Sequence, residues 1–509
     1  MCAGSAPKEL SLAQKKVVVS HLLAKYGDRL SPAATSQLLA AVQLARPAAT
    51  DPDLVKNRLV HSWATNNVTC KRVKTCMSLA PEVCAEVCQD GSIQPDPWTS
   101  YALQTQREIQ YDTPLNYVSL PGTHNSAITL AYGYGLSEGM ANALTHLISE
   151  DWQVYIANQQ LGLWDQFKLG VRHFELDVHW WSDAIRICHA GGIHLQSLND
   201  FIKFLGTEFG IHIDWDSETI GCFSPYDRTL NDTFVEIRQF VFAPGNEREF
   251  VIFYFDDEED LLSWSKVNLI LQGIEYHFGS YVFTPVDKQR LFPRSWPSFR
   301  QLKAAGKRLM FVSRTDYGEV MNRHLFARAN MWTEYGPFPF SAYPNCTVRH
   351  APVNNGKIAR VFGDSLAYGP FWNGYDGQMM MPADLLEEAQ CNVNFACVDQ
   401  LSPILAEGFV WSWDKDQPKL RGGCAAMQPN GRWAALDCNA TTLRSACRNP
   451  TTGAFVLSAN ATSWRSAQAS CPTGFDFAVP LNGYANSQLA AVLRASSTPS
   501  SSVWLNRVA

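Results

Sequence analysis

Short apolar runs separated by helical or polar stretches fill the middle of the chain, from 113 to 404. They are Tyr117–Leu120, Val171–Val178, Ile185–Cys188, Phe250–Phe255, Leu309–Val312 and Val393–Val398. Strands alternating with helical segments over roughly 250 to 300 residues predict an α/β fold, a distorted (β/α)8 TIM barrel. In such a barrel the reactive side chains stand at the C-terminal ends of the strands. The flanks read differently. Residues 9–46 carry two helical patterns, the first with Leu10, Leu12, Val17, Val18, Val19, Leu22 and Leu23, the second with Ser31 as N-cap and Pro32 at its first position. Pro47 to Pro52 reads as a linker. Cys70, Cys76, Cys84 and Cys88 then form a compact stapled segment ending at Pro95 and Pro97. After 404 Gly, Ser, Ala and Asn increase, with Trp411, Trp413, Trp433, Trp464 and Trp504 spread among them. The expected plan is a helical extension (1–66), a Cys-rich segment (67–112), the barrel (113–404) and an α+β C-terminal domain (405–509).

Composition narrows the setting. With 46% hydrophobic and 18% charged residues the chain has the makings of a packed core. A net charge of -6, with no long Lys/Arg block, argues against nucleic acid as a partner. No window of about 18 apolar residues predicts a spanning helix. The start, with Lys8, Glu9, Lys15 and Lys16, has no signal-peptide pattern. The chain is therefore expected either to be in mature form or to stay inside the cell. Fourteen cysteines in clusters, without any C-x-x-C pair, favour disulfides over a metal ribbon. Together with sequons at Asn67, Asn231, Asn345, Asn439 and Asn460 they point to a secreted, extracellular glycoprotein.

Candidate chemistry gathers where the apolar runs end. The first run leads to Pro121 and Gly122, expected to break the strand, and then to His124 and Asn125. In the second, Glu175 and Asp177 share one face because strand side chains alternate with period two. Two carboxylates that close repel unless a cation lies between them, and oxygen ligands suit a hard divalent ion. The third run exits at His189, followed by Gly191 and Gly192. The fourth ends abruptly at Asp256 and Asp257. Histidine or carboxylate is thus delivered from four strands to one rim.

These stretches, "SLPGTHNS", "GVRHFELDV", "RICHAGG" and "EFVIFYFDD", resemble the catalytic X region of phosphatidylinositol-specific phospholipase C over about residues 115–402. The resemblance implies a phosphoric diester hydrolase with His124 and His189 as the catalytic pair. It implies Asn125, Glu175, Asp177 and Asp256 as ligands of a divalent cation, calcium first and magnesium as the alternative. Metal-independent bacterial relatives place an arginine near that site instead. Two departures stand out. Where inositol-phosphate-specific members have a lysine-rich strand exit, this chain has Phe311 to Arg314, leaving Arg314 as the phosphate contact. The fourth-strand acid is Asp256 rather than Glu, with Asp257 as its rival. Asp399 matches a position that in bacterial relatives supports the first histidine. Proton transfer by the histidines and positive charge on the phosphoryl oxygens is what cleavage of an anionic diester requires. The implied partner is a phospholipid or a glycan-linked phosphodiester, met by peripheral contact with a membrane.

Residues 409–448 resemble the second half of a C-type lectin-like domain and 463–505 the first half, in swapped order. A permuted domain of this kind implies the disulfides Cys424 with Cys438 and Cys447 with Cys471, and a glycan or protein ligand. Asp416 to Lys419 matches the calcium-binding sugar loop only in part, and Trp433 is followed by Ala434 and Ala435, which favours a structural or protein-binding role. The rival readings are a glycerophosphodiesterase or sphingomyelinase D-like enzyme, whose first strand usually carries His-Arg-Gly, and a catalytically silent binding protein.

Overall fold

A computed structural model describes residues 68–77, 83–134, 157–181, 183–188, 228–257, 260–364, 379–439, 442–499 and 501–509. The helices expected over 9–46, the linker at 47–52 and His189 lie outside the described residues.

Eight parallel strands make the central sheet: β1 (Leu120–Thr123), β2 (His173–Trp181), β3 (Val251–Asp256), β4 (Leu309–Ser313), β5 (Phe326–Ala327), β6 (Trp332–Tyr335), β7 (Ile358–Phe362) and β8 (Phe395–Val398). Their order across the sheet is β5-β4-β3-β2-β1-β8-β7-β6. Chain order is kept throughout, and the two edges are the consecutive strands β5 and β6. The five peptide steps from Ala327 to Trp332 reach at most roughly 18 Å. A short link between opposite edges obliges the sheet to curl, and the result is a curled half-barrel.

Two expectations change here. The run at 185–188 supplies no parallel strand: Ala184–Ile187 turns back antiparallel on β2, pairing Ile187 with Val178. Pro121 and Gly122 lie inside β1 rather than breaking it. Gly122 is needed for space, since a Cβ there would sit 2.7 Å from Cys397 Sγ and 3.2 Å from the Ala396 carbonyl oxygen.

Period-two alternation sorts the strands' side chains. Leu120, Ile252, Tyr254, Met310, Val312, Trp332, Ile358, Phe395 and Cys397 form one buried cluster on the concave side. Phe174, Leu176, Phe253, Phe255 and Phe311 belong to a second cluster on the convex side. Helices cover that side: α1 (Pro97–Ile109), α2 (Leu163–Lys168), α3 (Leu230–Val241) and α4 (Val267–Phe278). Phe167 of α2, Phe234 and Phe240 of α3 and Phe278 of α4 supply the facing rings. Asp96 starts α1 by accepting the Thr99 N–H at 2.8 Å, with Pro97 in the first turn.

The C-terminal residues add a mixed sheet ordered Trp433–Leu436, Cys424–Met427, Val503–Val508, Arg444–Arg448, Phe455–Leu457, with a helix at Gly483–Arg494. Cys424 is bonded to Cys438 and Cys447 to Cys471. Further disulfides join Cys70 to Cys88 and Cys346 to Cys391. This segment is spliced to the rest through α1. Gln106 Oε1 accepts the Trp411 and Ser412 N–H groups at 2.9 and 3.2 Å, and the Trp98 indole donates to the Asp414 carbonyl at 2.6 Å. Among the described residues no helix is long and apolar enough to cross a membrane.

Candidate functional site

The C-terminal ends of β1, β2, β3, β7 and β8 bring their polar side chains together at one mouth of the sheet. His124 leaves β1 beside β8, its N–H bonded to the Val398 carbonyl at 3.1 Å. Asp399 leaves β8, and its Oδ1 lies 3.0 Å from His124 Nδ1. Asn158 donates to the other Asp399 oxygen at 2.8 Å, and Gln159 ties the His124 and Val398 carbonyls at 2.7 and 2.8 Å. The imidazole is 6% exposed. Its Nε2 faces Glu175 Oε2 at 3.9 Å, and the Phe362 ring packs against it with centroids 5.4 Å apart. Burial opposes a charge on this ring, but Asp399, Glu175 and Asp364 outweigh it and hold its pKa up to about 10. At neutral pH the ring is an imidazolium.

On β2 the alternation puts His173, Glu175 and Asp177 on the concave side. Register places Asp177 opposite Asp256 of β3. Oxygens of Glu175, Asp177 and Asp256 lie within 4.8 Å of one another. The Asn125 amide, just after His124 and at φ 43°, faces Asp177. With its nitrogen turned that way it donates to Oδ1 at 2.7 Å. With its oxygen turned there it becomes a further oxygen donor, an orientation that calls for a cation between the oxygens. The three carboxylates, with the Asn125 amide beside them, offer oxygen donors of the kind a hard divalent ion takes. Burial pushes Glu175 up to about 7 against the pull of Arg360 and His124, with Asp177 and Asp256 adding to the push. A cation among these acids would relieve that push.

The rival acid is decided by its partners. Asp257 is fully buried and accepts from the Thr315 hydroxyl at 2.8 Å and from the Tyr317 hydroxyl. It ties the segments after β3 and β4 together, whereas Asp256 joins the acid group. Arg314 follows β4 at the rim, and its Nη1 donates to Asp256 Oδ1 at 2.8 Å.

Two site residues escaped the sequence reading. Arg360, in the middle of β7 and 1% exposed, ion-pairs with Glu175 and, at 2.6 Å, with Glu334. Its guanidinium lies between the Tyr254 and Phe362 rings, 4.9 Å from each centroid. A lone arginine in the pattern Ile-Ala-Arg-Val-Phe gives no sign that its partners are on other strands. Asp364, two residues past β7, forms a group with His124 and Asp399. An acid at a strand exit was the available signal, the same one that marked Asp256. His189 lies outside the described residues; Cys188, the residue before it, bonds through its N–H to the Asp177 carbonyl at 3.3 Å.

No family model matches the chain, and no solved structure does. It is similar to an uncharacterized protein of Mycobacterium tuberculosis, found in strains H37Rv and CDC 1551. Identity is 23% over 466 residues, covering 86% of this chain and 85% of the relative. The likeness extends over most of both chains and assigns no activity.

Proposed function

We propose that this chain is a secreted phosphodiesterase of phospholipase C type, which cleaves the phosphodiester of a phosphatidylinositol-type lipid at the mouth of a closed (β/α)8 barrel. The observation that carries the reading is the His124 ring, clamped by Asp399 and facing Glu175, whose carboxylate is grouped with those of Asp177 and Asp256. Strand order that keeps chain order, with both edges four residues apart in sequence, supports barrel closure.

A charged His124 is suited to donate Nε2–H to a phosphoryl oxygen, and Asp399 fixes the ring so that this nitrogen faces the mouth. Arg314 adds a guanidinium at the rim, and the resemblance assigns protonation of the leaving oxygen to His189. Asn125, Glu175, Asp177 and Asp256 would hold a divalent ion, calcium or magnesium. Bound there, the ion supplies positive charge against the phosphoryl oxygens. Arg360 already engages one oxygen of Glu175 and Arg314 one oxygen of Asp256.

The C-terminal segment is read as a permuted C-type lectin-like module with a structural or protein-binding role. Its splice to α1 supports the first, because Gln106 and Trp98 fasten it to a helix that packs on the convex side of the sheet.

The test is hydrolysis of phosphatidylinositol, its phosphates, lysolipids and glycerophosphodiesters, with and without EDTA. The expected result is release of the phosphorylated headgroup from phosphatidylinositol, lost on chelation and restored by calcium. No cleavage of any diester would overturn the enzyme reading. Cleavage indifferent to EDTA would remove the metal from it.

A further inference from the structure

A second group of carboxylates lies where the chain leaves the Cys70–Cys88 disulfide and meets α2 and α3. The Tyr132 hydroxyl accepts the Leu163 N–H at 2.7 Å. Its single proton faces two acceptors, Glu236 Oε1 at 2.7 Å and Asp90 Oδ2 at 3.3 Å. Glu236 Oε1 also accepts the Trp164 N–H at 3.2 Å, and its other oxygen pairs with Arg228. The Arg228 guanidinium in turn lies 4.1 Å over the Tyr132 ring. Asp90 is wedged against the entry to α2: a Cβ on Gly162 would fall 2.2 Å from its Oδ1. One residue turn further on, Asp165 of α2 accepts the Ile93 N–H at 3.0 Å.

Two ionised carboxylates around one hydroxyl leave one of them facing its oxygen with no hydrogen between, unless that acid carries a proton of its own. Tyr132 cannot donate to both, and both nearby cations are engaged. Arg228 serves Glu236, and Lys168 donates to the Gly91 and Ile93 carbonyls. We infer that Asp90 keeps its own proton, donated toward the Tyr132 oxygen, and that this proton makes the docking of residues 89–93, and of the disulfide before them, a pH-sensitive clasp. The clasp is independent of any reaction at the sheet's mouth.

The charges facing Asp90 are of both signs, and the acids are the nearer influence. Glu236 on α3 and Asp165 on α2 are acids, Lys168 and Arg228 are the bases, and Tyr132 is a neutral donor. Burial, reinforced by Glu236 and Asp165, pushes Asp90 up to about 8. An unfolded aspartate titrates near 3.9. The proton's contribution to docking is therefore full below about pH 4 and is lost as pH rises through about 8. Above that, two anions face one hydroxyl with no spare cation.

Hydrogen exchange of residues 89–93 in the full chain, corrected for intrinsic exchange chemistry, tests this at pH 6 and pH 9. Protection is expected to fall by about a hundredfold beyond the correction in the wild type. In Asp90→Asn, which keeps a neutral group of the same shape, it should change little. Equal protection at both pH values, or the same fall in Asp90→Asn, would overturn the clasp. Should that variant not fold, infrared spectroscopy of wild type labelled with ¹³C at aspartate carboxyls decides the matter: a protonated carboxyl band at pH 6 that vanishes by pH 9 is expected, and no such band at pH 6 would overturn it.

Discussion

At the scale of single residues, the site is a contest between burial and neighbouring charge. His124 would be neutral if burial acted alone, yet three carboxylates hold its pKa up to about 10. Asp399 is the one in hydrogen-bond contact, so Asp399→Asn is expected to bring the imidazole titration down toward its ordinary value of about 6.5, read by NMR of the ring protons. A raised histidine pKa lends stability that is full below about pH 6.5 and lost as pH rises through about 10, at up to about 1.4 kcal/mol per unit. Thermal melts over that window should decline in the wild type, and Asp399→Asn should flatten the part due to His124. A titration unchanged in the variant would mean that Asp399 does not govern the ring. Arg360 presents the opposite case, a buried cation whose loss strands Glu175 and Glu334. Arg360→Met is expected to cost about 3–5 kcal/mol in urea unfolding. A loss under about 1 kcal/mol would show that the acids find other compensation. Glu175 and Asp177 could be read from the sequence because two acids at spacing two must share a strand face. Arg360 could not, because its partner Glu175 lies 185 residues away.

Elements were legible in proportion to their length and uniformity. β3, an uninterrupted run of buried apolar residues, was found almost to its ends. β5 has two residues and β7 is interrupted by Arg360, so neither stood out. The segment at 184–187 looks like any short apolar run, and only pairing reveals that it folds back on β2. β1 was misplaced because proline and glycine usually end strands. Here Pro121 is tolerated and Gly122 makes room for β8. Gly122→Ala should therefore cost about 1–3 kcal/mol through overpacking against Cys397, whose Sγ is held in the concave core. Urea midpoints would show it, and an unchanged midpoint would mean that β1 and β8 separate more readily than their packing implies.

On the scale of the whole molecule, the curled sheet gathers side chains from 124, 175, 256, 360 and 399, and no local pattern contains that convergence. Sequence motifs pointed to all of these but Arg360, one strand at a time; the parallel order of the strands makes them neighbours. The C-terminal segment, whose cysteines pair as the lectin-like resemblance implies, adds a second sheet fixed through α1 rather than a freely hinged appendage. The most direct measurement of the central claim is ³¹P NMR of phosphatidylinositol vesicles incubated with calcium and either wild type or His124→Ala. The wild type should convert the lipid resonance to a cyclic phosphodiester or an open phosphomonoester of the headgroup, and the variant should do so at least about a hundredfold more slowly. Conversion at the same rate by both proteins would contradict the assignment of chemistry to this site.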